Sequence, residues 1–363
     1  MPVSSPAPAV AGPGGPSMRR SWIFWLLMLA LTLLVITRFA SLKELHDELA
    51  AARWSWIAVS LALHFVYYGV YAALYQRGFA IVGVQSRIRE LLPLVFASYV
   101  VNSIAPAGGA AAAALFIGYA VRHGQNGTRA AVGMILVLIT DVATLLPFLA
   151  WGTFVLHQKR DVTYYDMLAL GCFVAFVAIL AGALALAARR PALLRTLLGW
   201  TATVANRIWR RFRHQPLVGP EWQEHTAREL ADASAAIAAD PRGVWEAAGL
   251  GVVLHLLNLA VLVSLFPAFS QPLDLGAAVA GFGLGIVFFF VAIVPQGIAV
   301  VEGIMALVFT RLGVPGEKAG AIALVFRGVN YWLPLAIGAL FTRQIGQLLS
   351  PSPRAQQTPD QGR

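Results

Sequence analysis

Six times the chain sets down a stretch of predominantly apolar residues with at most one ion in it, at 22–36, 54–74, 130–156, 165–188, 244–266 and 322–341. A helix of about 20 such residues crosses the ~30 Å hydrocarbon of a bilayer. Inside hydrocarbon every backbone N–H and C=O needs a partner within the protein, which leaves helices and closed barrels. The runs are continuous rather than alternating, so the barrel is excluded. Composition agrees: 12% of residues are charged and 58% hydrophobic, against about 25% charged in a soluble domain. A soluble enzyme, a disulfide scaffold and a disordered chain are thereby excluded. The single Cys172 supports neither a disulfide framework nor a thiolate metal site. The fold class is all-α, a polytopic helical membrane protein.

Two further apolar stretches are too short or are broken. Runs 91–104 and 107–121 are interrupted at Ala105-Pro106-Ala107-Gly108-Gly109, and 275–294 is followed by Pro295-Gln296-Gly297 and a short run to Phe309. A helix of about 15 residues rises only about 22 Å, so 91–121 reads as a re-entrant hairpin. The architecture expected is about six full spans plus two re-entrant, broken-helix hairpins in inverted arrangement. Counting Lys and Arg with the N-terminus inside puts 19 in inside segments and seven outside, leaving Arg327 within a span. That bias supports cytoplasmic N- and C-termini. It requires 275–311 to enter from the outside as the second hairpin, although 275–294 alone is long enough to cross.

The organisation follows. Residues 1–17 are Pro, Gly, Ala and Ser and read as a disordered tail. Arg19-Arg20 ahead of 22–36 resembles a signal start, but Arg38-Phe39-Ala40-Ser41 is a poor cleavage site, so the span is retained. Residues 18–188 form the first membrane half with hairpin 91–121, 189–243 a cytoplasmic amphipathic pair, 244–348 the second half with hairpin 275–311, and 349–363 a polar, disordered tail. In 189–243, Leu194, Leu197, Leu198, Thr201, Val204, Ile208 and Phe212 fall at helical spacing beside Arg207, Arg210, Arg211 and Arg213. A basic amphipathic helix on the inner leaflet explains this stretch, and a more acidic helix follows from near Pro220 to Asp240. The net charge of +10 therefore points to anionic lipid rather than nucleic acid.

Soluble-enzyme motifs (a Walker loop, HExxH, GxSxG) are missing, and neither a cofactor nor a metal is implied. Gly281-Phe282-Gly283-Leu284-Gly285 lies in an apolar run without a βαβ unit and reads as close helix packing. The chemistry concentrates at the two breaks. Proline and glycine stop a helix, and the helix restarting after each break aims N–H groups and partial positive charge at mid-membrane, an anion site. Paired broken segments point to a transporter's binding site; two kinks filled by neighbouring helices are the plainer alternative. In each half a long span with an ion near its middle follows the break: Asp141 comes 35 residues after Pro106, and Arg327 comes 32 after Pro295. Glu302 falls in the early turns of the second restarted helix. Pairing of Arg327 with Glu302 or Asp141 is the structural reading of these ions; a counter-charge for a headgroup is the functional one. Asn102 and Asn330 satisfy broken backbone or line a cavity. His64, His255 and Asn258 read as hydrogen-bonded core residues.

These breaks resemble the flippase-like transmembrane domain of lysylphosphatidylglycerol synthases. The resemblance rests on Asn102-Ser103-Ile104-Ala105-Pro106-Ala107-Gly108-Gly109, Asp141, Pro295-Gln296-Gly297-Ile298-Ala299-Val300-Val301-Glu302, Arg327-Gly328-Val329-Asn330-Tyr331-Trp332-Leu333-Pro334 and Gly338. It covers about residues 20–345. The family's second motif commonly reads PGGLGVRE, so Gln296, Ala299 and Val301 depart from it. Ala110-Ala111-Ala112 stands where many relatives carry an acidic residue. The resemblance implies movement of a lipid between leaflets of a bacterial cytoplasmic (inner) membrane. Only a short polar tail follows Phe341, so no aminoacylating domain is expected.

The function expected is non-enzymatic lipid translocation of an anionic or aminoacylated phospholipid through a mid-membrane polar cavity. The site comprises Asn102, Pro106, Gly108, Gly109, Asp141, Pro295, Gly297, Glu302, Arg327 and Asn330. Partners are membrane lipids and, as an alternative, a lipid-modifying enzyme that the chain scaffolds; an isoprenoid or hopanoid lipid is the other alternative cargo.

Overall fold

A computed structural model describes residues 42–104, 110–158, 164–189, 220–291 and 297–340, with Thr196, Gly199, Trp200 and Thr203 besides. Among these, regular structure is helical throughout. The helices are α1 (Leu42–Ala51), α2 (Trp54–Ile81), α3 (Ile88–Ile104), α4 (Ala110–Arg122), α5 (Gly127–Gln158), α6 (Tyr164–Arg189), α7 (Pro220–Ala239), α8 (Pro241–Ala268), α9 (Leu275–Val291) and α10 (Val300–Arg311). The last, α11, runs Gly316–Arg327 and continues through a π turn, Gly328–Trp332, to Leu340. Four of them, α2, α5, α8 and α11, are long and apolar enough to cross a membrane. The segments 22–36 and 341–363, most of 190–219, and the breaks 105–109 and 292–296 lie outside the described residues.

The helices overrun the apolar stretches that announce them. Helix α2 continues to Ile81, α8 starts at Pro241, and α11 starts at Gly316. A helix keeps its hydrogen bonds past the hydrocarbon edge, where polar side chains meet water. Tryptophans mark those edges: Trp54 at the start of α2 and Trp245 at the start of α8 are both largely exposed. Helix α1, with the polar sequence LKELHDELAA, is not visible to a search for apolar runs.

Five elements recur in order. A short polar helix, a 28-residue helix, a 17-residue arm, a 13-residue arm and a 32-residue helix make α1–α5; the same series with 20, 28, 17, 12 and 25 residues makes α7–α11. The two 28-residue helices pack antiparallel. At one end the Arg53 N–H donates to the Ala268 carbonyl at 2.8 Å. At the other, Arg77 pairs with Asp240 at 3.4 Å and Glu246 at 2.9 Å. The halves therefore run in opposite senses.

Each hairpin enters and leaves at one end of the bundle. The loops around α3 and α4 are tied by reciprocal bonds: Gln85 N–H donates to the Gln125 side chain, and Gln125 Nε2 donates to the Gln85 carbonyl, both at 2.6 Å. In the second hairpin Gly281 faces Phe309 and Gly285 faces Met305, while Phe309 stacks edge-on to Phe266 at 5.4 Å, near the end of α8. The glycine series at 281–285 is thus a packing stripe, with Gly283 against Leu149 of α5. Without a hydrophobic drive between helices in lipid, such close backbone approach supplies the attraction.

The halves are also clasped. On α5, Gly152 lies against the α9 backbone, where an added Cβ would come within 2.9 Å of the Val279 carbonyl; on α11, Gly338 lies against the Phe96 carbonyl of α3. Each long helix so carries the first arm of the other half's hairpin. One large apolar core surrounds each hairpin. A small cluster joins them: Val100 on α3, Ile298 at the second break, and Tyr331 and Leu335 on α11.

Candidate functional site

The second break is visible from its C-terminal side. Gly297 and Ala299 take positive φ, 60° and 73°, which swings the chain out of α9 and into α10. At Gly297 a Cβ would fall 2.7 Å from Val301 Cγ2, so glycine is required there twice over. Ala299 is the N-cap of α10 and has no side-chain oxygen to give. Glu302 is therefore the third residue of the helix, where its carboxylate complements the N-terminal partial charge. Pro106, Gly108, Gly109 and Pro295 lie outside the described residues.

Arg327 closes the regular part of α11. Its Nε donates to Glu302 Oε1 at 2.9 Å, and both residues are under a tenth exposed. The sequence offered Glu302 and Asp141 as partners for this arginine, and the structure selects Glu302. The π turn that follows places Tyr331 beneath the guanidinium, 4.8 Å from Cζ to ring centroid. Such turns are enriched at functional sites. The Tyr331 hydroxyl lies 3.0 Å from Ser103 Oγ. Because Ser103 gives its own proton to the Tyr99 carbonyl at 2.7 Å, Tyr331 is the donor. The last turn of the first hairpin's arm is thus wired to Arg327. Two buried oxygens at this junction, Glu302 Oε2 and Asn102 Oδ1, have no hydrogen-bond partner among the described residues.

Helix α8 supplies the second part of the site. Asn330 Nδ2 donates to Asn258 Oδ1 at 2.7 Å. One turn earlier, His255 Nε2 donates to the Asp141 carbonyl at 2.7 Å and lies 3.5 Å from its carboxylate. His255 and Asn258 are satisfied core residues, as read from sequence, yet they also bind Asp141 and Asn330 to one helix. His64 departs from that reading: neither ring nitrogen has a hydrogen-bond partner among the described residues, and the ring stacks on Tyr67 at 4.8 Å.

A tyrosine ladder on α2 was not legible in the sequence. Tyr67, Tyr71 and Tyr75 follow one another at single-turn spacing on α2, with ring centroids 5.8 Å and 4.9 Å apart. The available signal was tyrosine where phenylalanine would pack equally well.

Residues 22–338 match the family described as Lysylphosphatidylglycerol synthase TM region. The chain belongs to that family. A UPF0104 membrane protein of Methanothermobacter thermautotrophicus is 33% identical over 93 residues, 26% of this chain and 28% of the relative. The match thus spans little more than a quarter of that protein's length. Family membership gives a membrane protein of lipid metabolism with no catalytic domain evident in the matched region. It also sharpens the second break. In the resembling motif a glycine stands at position 299, and the φ of 73° found there is the conformation glycine tolerates and alanine resists. Val301, where the motif has arginine, is buried beside Gly285, which leaves Arg327 as the guanidinium facing Glu302.

Proposed function

We propose that this protein is a flippase-like lipid translocase of a bacterial cytoplasmic membrane. It moves an anionic or aminoacylated phospholipid between leaflets past the junction of its two hairpins. The carrying observation is the buried Arg327–Glu302 pair at 2.9 Å, set where α3, the second break and the π turn converge. A buried ion pair is on balance no more stable than apolar packing of the same volume, because desolvation offsets the attraction. Within hydrocarbon each ion costs a further few kcal/mol. A pair kept at that depth is accounted for by a task that needs an exchangeable charge. Arginine meets a phosphate through the same forked donors that it offers a carboxylate. The N–H groups opening α10 lie beside it.

In this reading a headgroup phosphate displaces Glu302 from Arg327, and Glu302, whose second oxygen has no partner among the described residues, takes a proton or an amine. Ion gradients or passive exchange drive the movement. The test is reconstitution of the purified chain into liposomes carrying fluorescent phospholipid in both leaflets, with dithionite quenching of the outer one. Wild type is expected to expose the inner pool, and Arg327→Ala and Glu302→Gln to slow this at least tenfold. Equal rates for both variants and wild type overturn the assignment.

A further inference from the structure

Four buried polar atoms on one face of α2 have no hydrogen-bond partner among the described residues: Ser60 Oγ, both ring nitrogens of His64 and the Tyr68 hydroxyl. Ser60, His64 and Tyr68 follow one another at four-residue spacing and are at most 1% exposed. Tyr67, Tyr71 and Tyr75 continue the stripe, and at 3.6 residues per turn all six fall within an arc of about 100°. Phe65 and Val66, on other faces of the helix, are exposed. From Ser60 to Tyr75 the stripe rises about 22 Å along the axis, most of the ~30 Å of hydrocarbon. A neutral imidazole carries one donor and one acceptor, so His64 leaves a group of each kind unanswered. Tyr71 and Tyr75 share one long bond of 3.4 Å. A buried polar group without a partner weakens the fold, whereas an apolar side chain of the same shape does not. Packing alone therefore does not account for this face, and a partner that arrives in another conformation does.

What covers the stripe is the first re-entrant arm. The rings of Phe96 and Tyr99 on α3 lie 4.6 Å and 6.3 Å from that of Tyr68. The Tyr99 carbonyl accepts from Ser103, Ser103 accepts from Tyr331, and the Tyr331 ring lies beneath Arg327. A chain of contacts thus joins the stripe to the Arg327–Glu302 pair. We infer that the α2 face from Ser60 to Tyr75 is the track along which the phospholipid headgroup crosses the membrane, with α3 as its cover. When α3 withdraws, Ser60, His64 and Tyr68 bond the phosphate oxygens and hydroxyls of the headgroup and so find the partners that they lack in the closed packing. The track names the path taken by the cargo of the translocase proposed above, and it rests on that proposal.

The test uses the full chain in liposomes of phosphatidylglycerol and phosphatidylethanolamine, doped with phosphatidylglycerol that carries a diazirine on its headgroup. Illumination and peptide mass spectrometry are expected to place label within residues 60–75. His64→Leu should raise the thermal midpoint by about 2 °C or more, because two unpartnered nitrogens are removed. The same variant should slow the movement of fluorescent phosphatidylglycerol, read by dithionite quenching, about tenfold or more. Val66→Leu, on the exposed face, keeps the wild-type rate. If His64→Leu does not fold, Ser60→Ala and Tyr68→Phe, each of which removes a single oxygen, decide by the same two readouts. Headgroup label absent from 60–75 overturns the track, as does a wild-type rate in His64→Leu, Ser60→Ala and Tyr68→Phe. Wild-type liposomes separate the two proposals. No movement of lipid by wild type removes the translocase and the track with it; movement without label on α2 removes the track alone.

Discussion

Arg327 and Glu302 lie 25 residues apart in sequence and meet Nε to Oε1 at 2.9 Å, the arginine held from below by the Tyr331 ring. Removing one partner strands the other charge. Arg327→Ala is expected to destabilise the protein by about 3–5 kcal/mol, read as a lower midpoint in denaturant titration of the detergent-solubilised chain. The double variant Arg327→Met/Glu302→Leu should recover most of that stability and still fail to move lipid. Full transport by the double variant would make the pair purely structural.

Ala299 holds a φ of 73° that costs an L-residue roughly 1–2 kcal/mol. Ala299→Gly should therefore raise the thermal midpoint. Gly297→Ala should lower it by a larger amount, since strain at φ 60° adds to the contact with Val301. A thermal-shift series on the two variants checks both signs.

The clasps between the halves should tolerate no side chain. Gly152→Val and Gly338→Val each push into the backbone of the opposing arm and are expected to lose about 1–3 kcal/mol or more. Gly182→Ala is the control, because nothing lies within 4 Å of a Cβ there. Its midpoint should stay within about 0.5 kcal/mol of wild type.

Side-specific labelling tests the inverted hairpins. Cys172 is exposed and is first replaced by serine. Introduced cysteines at Gln85 and Gln125 should then react with an impermeant maleimide from the same side of the membrane, and one at Ser270 from the opposite side. Ala110 and Ala299, at the two restarts, should label from water. Reaction of Gln85 and Gln125 from opposite sides would mean that the α3–α4 segment crosses the membrane once instead of returning.

The four spans that became α2, α5, α8 and α11 were legible because long runs with at most one ion have no soluble explanation, and the second break because proline and glycine interrupt the run visibly. Their exact extents were not, since polar end turns keep their helical bonds outside hydrocarbon. The run 275–294 looked long enough to cross, yet α10 runs back along α9, with Met305 against Gly285 and Phe309 against Gly281, and returns to Phe266. Ions within or beside the apolar runs named Arg327, Glu302 and Asp141, but two carboxylates competed for one arginine until α10 was placed in space. Tyr67, Tyr71 and Tyr75 stayed hidden because an aromatic stripe at helical spacing is also what a dry core looks like.

Gly152 and Gly338 have a mechanical consequence. Each re-entrant arm rides on a rail that belongs to the other half, and the rails run in contrary directions. With backbone pressed on backbone at both places, an arm cannot shift without its rail, so displacing either hairpin is passed directly to the opposite half.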